Sequence, residues 1–278
     1  MNIPNRRYRS TPHTIDRIDV AHGSRESLED QIAVEEPLEI RLDGKSVAVV
    51  MRSPGNDEEL AVGFLYTEAI LKSRDELGGV ELKQDPKNPE LANVVEVTSA
   101  KGIDLEKRGW QRNFVSASSC GLCGKLTIES VRLHVPSVRK DALQVSAELL
   151  RALPDKMRSQ QAGFDETGAI HAAGLFDRDG NLLIIREDIG RHSAVDKVIG
   201  TAFLADELPL SERVLMVSGR SSFEIVQKAL MARIPMVAGV SAASSLGVDL
   251  AQSCGMALVG FMRGSSLNVY TGSDRITL

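Results

Sequence analysis

A chain of 278 residues that is 42% hydrophobic and 26% charged has enough apolar material for a self-sufficient core, in one large domain or two small ones. Its net charge of −5 gives no cationic excess for duplex nucleic acid or an anionic membrane, although a local basic pocket is allowed. Arg6, Arg7 and Arg9 precede no apolar run long enough for a signal peptide, and later apolar runs break within about ten residues, short of the roughly twenty that span a bilayer; a cytoplasmic protein is expected.

Residues 1–25 are polar and aperiodic and read as a mobile arm. PLEIRL and KSVAVVMR flank Asp43-Gly44, a strong hairpin signal, and DEELAVGFLYTEAIL follows as an amphipathic helix with an acidic first turn. Between Lys72 and Arg112, glycines and prolines surround one convincing strand, NVVEVTSA, so that 26–117 form a small α+β region. The glycine-punctuated SSCGLCGK (118–125) reads as a mobile loop. LTIESVRLHV, which opens the larger region 126–278, fits either helix or strand. SAELLRALPDKMRSQQ is helical, with Pro154 expected to kink or split it. A second hairpin, AIHAAGLF and NLLIIRE flanking Asp177-Arg178-Asp179-Gly180, leads into a helix with the apolar stripe Val195, Val198, Ile199 and Ala202. RVLMVSG, SSFEIVQKALMAR, PMVAGVSA, SLGVDLAQSCG and ALVGFMRG then alternate strand and helix, the pattern of βαβ units in a layered α/β sheet.

The CxxC of Cys120 and Cys123 carries the most pointed chemistry. Flanking glycines expose the backbone, and Lys125 with free N–H groups stabilises a thiolate. One pair with a distant Cys254 does not make a zinc site within one chain, although two subunits could pool two pairs. A thioredoxin-like role would want a strand immediately before the pair. A sulfur carrier, in which one thiolate holds a persulfide, suits a loop that must visit a donor and then an acceptor. Inert cysteines fit poorly with such exposed surroundings.

The C-terminal half offers anion sites. VSGRSSFEIVQ turns from a strand through Ser218, Gly219, Arg220 and Ser221 into a helix, whose first N–H groups and Arg220 point into one space. SAASSLGVDL, with Ser241 and Ser244, repeats the device, and FMRGSSLN supplies a third loop. Three such strand ends on one face suit a ligand with several phosphates. GxGxxG is absent, Ser119 and Leu126 spoil a Walker loop around Lys125, and Ala243 spoils a nucleophile elbow at Ser241. His192 and Asp196, spaced i, i+4, could pair as imidazole and carboxylate; His171 reads as a packed or hydrogen-bonded strand residue. Ala173 stands where a zinc deaminase needs its Glu.

EEPLEIR (35–41), RSPGNDEELAVGFLYTEAI (52–70), SSCGLCGK (118–125), HAAGLFD (171–177), REDIGRHSAVDKVIG (186–200), SGRSSFEIVQKALMARIP (218–235) and LVGFMRGSSLNVYTGSDRI (258–276) together resemble the FdhD family of formate dehydrogenase accessory proteins. The resemblance implies a sulfurtransferase. It would take sulfur from a cysteine desulfurase and deliver it to the bis-molybdopterin guanine dinucleotide form of the molybdenum cofactor, which formate dehydrogenase requires. It assigns the persulfide to Cys120 with Cys123 as helper. Cofactor binding falls to Phe261, Met262, Arg263, Gly264, Ser265 and Ser266, where Ser265 and Ser266 replace more basic residues of some relatives; Ala169 stands for a usual Gly. It further implies a homodimer and a cytidine-deaminase-like three-layer α/β sandwich with a mixed sheet, beside the smaller N-terminal α+β region. In the resulting scheme the cofactor docks by its nucleotide ends on loops 218–222, 241–245 and 261–266. Sulfur release can then proceed by disulfide formation or by direct transfer. The competing expectation is a non-enzymatic cofactor chaperone whose cysteines grip metal or a partner.

Overall fold

The structure, a computed structural model, describes residues 10–84, 92–108, 135–139 and 143–278. Cys120, Cys123, their loop and most of LTIESVRLHV lie outside these residues.

The chain opens with an antiparallel ribbon, β1 (Ser10–Asp19) against β2 (Ser24–Ala33). Residues 10–25 are therefore strand, turn and the start of a second strand rather than aperiodic chain, and the boundary expected after residue 25 falls inside β2. The alternation that would have marked these strands is missing because the ribbon is largely exposed on both faces. Ser10 anchors its base by donating to Glu166 (2.6 Å).

A four-stranded sheet follows, in the order β4 (Lys45–Arg52), β3 (Glu36–Leu42), β6 (Val94–Ser99), β5 (Leu77–Lys83). The β3–β4 turn takes Asp43 and Gly44 through positive φ (50° and 75°), as a two-residue hairpin requires. Leu38, Ile40 and Leu42 point inward against Leu60, Ala61, Phe64 and Leu65 of α1 (Asp57–Thr67). This helix ends at Thr67, sooner than the apolar pattern through Leu71 predicts, and β5 adds a strand where only irregular chain was expected. Buried Arg52 joins three pieces, bonding Asp57 (2.9 Å) in the first turn of α1, Glu36 (3.0 Å) and the carbonyl of Ala92.

The larger sheet has six strands, ordered β13 (Ser266–Thr271), β12 (Ala257–Arg263), β11 (Met236–Gly239), β10 (Val214–Val217), β8 (His171–Phe176), β9 (Leu182–Asp188). It is mixed: β10, β11 and β12 run parallel, while β8 and β13 are antiparallel to their neighbours. Because β9 is in turn antiparallel to β8, it shares the direction of the parallel strands. One face packs on α4 (Arg191–Leu204), α5 (Phe223–Met231) and α6 (Ser245–Cys254). The other packs on α2 (Ala147–Arg158) through Leu150, Leu153 and Met157. Pro154 neither splits nor ends α2, whose apolar side is fixed on the sheet on both sides of the missing N–H. The short α3 (Ala162–Thr167) follows, and β7 (Val145–Ser146) pairs with β14 (Ile276–Thr277) to tie down the C-terminus. Among the described residues no helix is long and apolar enough to cross a membrane.

The two sheets meet at α1 and α4. A Cβ on Gly63 would lie 1.9 Å from the Asp196 carbonyl oxygen, and one on Gly200 would lie 1.8 Å from that of Glu59. The helices thus cross backbone to backbone, a distance only glycine permits. Around the crossing, Arg186 grips Glu59 with two bonds (2.6 and 2.8 Å), and Lys228 meets Asp196 (2.9 Å) and Thr67 (3.0 Å).

Candidate functional site

The carboxyl ends of β9, β10, β11 and β12 share one edge of the six-stranded sheet, and α4, α5 and α6 each begin there. Three helix N-termini, with their unpaired N–H groups, therefore open on a common rim that favours negative charge. Ser244 caps α6 by accepting from the Gly247 N–H (3.2 Å), and Ser222 occupies the cap position of α5.

The strand-end loops are stitched together. Ser221 N–H donates to the Ala242 carbonyl (3.0 Å), Ser244 N–H to that of Ser221 (3.1 Å), and Phe261 N–H to that of Ser241 (3.1 Å). Gly239 brings the backbone close to Ser221, since a Cβ there would stand 2.7 Å from the Ser221 Oγ and push that hydroxyl aside. That hydroxyl, on a wholly buried residue, has no hydrogen-bond partner among the described residues. The structure thus brings Ser218, Gly219, Arg220, Ser221, Ser241, Ser244 and Phe261 to one rim.

The third expected loop differs. Phe261–Ser266 is mostly hairpin: β12 continues through Arg263, turns at Gly264 and Ser265, and returns as β13. Its Gly-Ser-Ser composition reads as loop because a tight turn uses the same residues. Phe261, at φ 51° in an irregular stretch of the ladder, is 43% exposed, whereas Met262 is 3% exposed and faces the core. Met262 is therefore withdrawn from the rim, and Arg263, Gly264, Ser265 and Ser266 are exposed at the hairpin tip.

On the opposite flank of the rim stands His171, the first residue of β8. Ser218 N–H donates to the Ala172 carbonyl (3.0 Å) and Ala172 N–H to the Ser218 Oγ (2.9 Å), which draws the 218–222 loop against the His171 ring. Arg191 and His192 open α4 beside it. His192 Nε2 lies 2.7 Å from a Glu224 carboxylate oxygen. The spacing of His192 and Asp196 does not make them a pair: Asp196 accepts from Thr67 (2.8 Å) and meets Lys228, on the side of α4 that faces α1. An i, i+4 spacing couples residues on an exposed face, and α4 is buried nearly all round, so each finds its partner on a different element.

Sequence reasoning missed the support beneath Arg191. Buried Asp188 meets Lys197 (2.7 Å) and accepts from the N–H groups of Ser53 (3.2 Å) and Gly190 (2.8 Å), while Ile189 N–H donates to the Ser53 Oγ (3.1 Å). The smaller unit thereby fixes the turn that presents Arg191. The density of charge in REDIGRHSAVDK was the available signal. Nothing local could connect it to Ser53, 135 positions away.

Residues 33–277 match the model of the FdhD/NarQ family. The chain is 48% identical over 267 residues to the sulfur carrier protein FdhD of Streptomyces coelicolor, covering 94% of each chain. It is 44% identical over 259 residues to the protein of the same description from Sulfolobus acidocaldarius, covering 93% of this chain and 96% of that one. Its fold resembles the crystal structure of a putative formate dehydrogenase accessory protein from Desulfotalea psychrophila, with a TM-score of 0.76 at 23% identity over 96% of this chain and 99% of that one.

Proposed function

Because the chain belongs to the FdhD/NarQ family, we propose that it is a sulfur carrier serving the maturation of formate dehydrogenase, the role that the descriptions of its relatives support. Cys120 is the carrier and Cys123 its helper. A cysteine desulfurase hands the terminal sulfur of its own persulfide to the Cys120 thiolate: a new S–S bond forms on Cys120 as the donor's S–S bond breaks and its thiolate leaves. The recipient is the molybdenum cofactor in its bis-molybdopterin guanine dinucleotide form, bound as cargo by a homodimer in the cytoplasm. If the Cys123 thiolate then attacks the Cys120 sulfur, a Cys120–Cys123 disulfide forms and hydrosulfide leaves toward molybdenum, and a thiol reductant resets the pair. If the cargo takes the terminal sulfur directly, the Cys120 S–S bond breaks, the Cys120 thiolate leaves, the cargo supplies the two electrons that bring the sulfur to the sulfide level, and both thiols stay free. The larger sheet, with helices on both faces, is read as a cytidine-deaminase-like arrangement emptied of zinc chemistry.

The observation that carries the cargo reading is the rim itself. Arg191 and Arg220 stand where three helices begin, and among the described residues neither has a carboxylate partner. Such a surface suits the phosphates of a nucleotide-bearing ligand, with Ser218, Gly219, Ser221, Ser241, Ser244 and the hairpin of Phe261, Arg263, Gly264, Ser265 and Ser266 around it. Met262 supports that hairpin from the core.

Intact-protein mass spectrometry after incubation with a cysteine desulfurase and cysteine tests the carrier. The native chain and Cys123→Ala gain mass in whole sulfur atoms, and Cys120→Ala does not. A chain that gains no sulfur under reducing, metal-free conditions instead supports a cofactor chaperone. Thiol counting after delivery separates the disulfide route from direct transfer.

A further inference from the structure

Helices α5 and α6 pack side by side and leave between them a cavity of about 280 Å³. Its apolar walls are Phe223 of α5, Leu246 and Leu250 of α6, and Val135. Phe223 opens α5 and Leu246 is the second residue of α6, so the cavity reaches the first turn of both helices, next to Ser222 and Ser244 at their caps. Sites for drug-sized ligands occupy roughly 300–1,000 Å³, so a space just under that range suits one flat ring system and little more.

Two polar side chains distinguish this space from an apolar gap. Gln227 is the one buried residue of the lining, at 4% exposure, and so forms its floor. Its Nε2 is shielded from solvent and has no hydrogen-bond partner among the described residues, an arrangement that costs free energy unless an acceptor arrives from outside. From α6, exposed Asp249 brings a carboxylate to the same cavity, and among the described residues it has no cationic partner. One helix therefore offers a donor and the other a two-oxygen acceptor. They match a ring edge on which one acceptor stands beside two N–H groups. Among the nucleobases that edge belongs to guanine, with O6, N1–H and N2–H in sequence; uracil offers one N–H and adenine an acceptor at N1.

We propose that the cavity between α5 and α6 takes the base of a nucleotide whose phosphates lie on the adjoining rim, and that Gln227 and Asp249 select guanine. Gln227 Nε2 donates to O6, and the two oxygens of Asp249 accept from N1–H and N2–H as a charge-assisted fork. Phe223 gives the ring an aromatic neighbour, which every base tolerates, so the choice among bases falls to the two polar groups. The inference rests on the reading of the rim as the phosphate-bearing surface and extends it to residues below the rim that carry no phosphate contact.

Titration calorimetry of the full-length protein tests this with GDP, IDP, ADP and inorganic pyrophosphate. IDP, which lacks the 2-amino group, is expected to bind about tenfold more weakly than GDP, the loss of one charge-assisted hydrogen bond, and ADP more weakly still. Asp249→Asn weakens GDP about tenfold or more and erases most of the difference between GDP and IDP. Gln227→Leu weakens GDP roughly two- to tenfold, the loss of one neutral hydrogen bond, yet the melting temperature of the ligand-free protein holds or rises because an unpaired buried donor has gone. That opposition of sign separates a ligand contact from a structural role. Asp249 is exposed, so Asp249→Asn tests the site even where Gln227→Leu does not fold. Pyrophosphate, which reads the rim alone, binds both variants as it binds the native chain. Equal binding of GDP, IDP and ADP, or a GDP preference that survives in Asp249→Asn, overturns the cavity assignment and leaves a rim that pyrophosphate still reports. A base preference without pyrophosphate binding overturns the rim and keeps the cavity. If neither GDP nor pyrophosphate binds the native chain, both readings fall, while the Cys120 mass measurement stands on its own.

Discussion

Lys228 shows how a single charge can be indispensable without taking part in chemistry. It is buried, its ammonium lies 2.9 Å from Asp196 and 3.5 Å from Glu68, and it sits 5.4 Å from the centre of the Phe64 ring. Burial opposes its charge, but the two carboxylates outweigh that cost and raise its pKa above the ordinary lysine value. Lys228→Met is expected to lower stability by about 3–5 kcal/mol in urea denaturation, because the Asp196 carboxylate is left in the interior without its cation. Adding Asp196→Asn should restore part of the loss. None of these pairings was legible in the sequence: Thr67, Glu68, Asp196 and Lys228 come from three helices or their ends, and no local spacing relates them. The rim residues were more legible because a strand end, a glycine and a serine cap are adjacent in the chain. His171 was not, since a lone histidine on a strand carries no mark of what faces it.

At the scale of elements, the joint between α1 and α4 rests on Gly63 and Gly200. A helical glycine ordinarily costs stability relative to alanine, so Gly63→Ala on an isolated helix would help. In this crossing the added methyl meets a carbonyl at under 2 Å, and the helices must separate. Gly63→Ala and Gly200→Ala are each expected to destabilise by about 1–3 kcal/mol, toward the upper end, seen as a lowered melting temperature. Both glycines looked like neutral positions in the sequence, whereas the stripe Val195, Val198, Ile199 and Ala202 correctly marked the face of α4 that packs on the sheet. The elements read well were those with a buried side and an exposed one, or those with nearly uniform apolar runs. The ribbon β1–β2 offers no such contrast. The β12–β13 hairpin hides its return strand, SLNVYT, behind a turn composition that resembles a loop.

For the molecule as a whole, the alternation of strand and helix after residue 163 was enough to foresee a layered α/β sheet, because buried parallel strands advertise themselves by composition. The chain did not advertise that its first sheet would be built into the second. Phe203 of α4 completes the core of the smaller unit, Ser53 of the smaller unit steadies the rim of the larger, and the glycine crossing leaves no solvent layer between them. The backbone contact at Gly63 and Gly200 therefore bears on cooperativity: neither half can loosen without exposing the other's buried ions. Calorimetry should record one melting event, with equal van't Hoff and calorimetric enthalpies, and the rim should persist or vanish together with a sheet to which it does not belong.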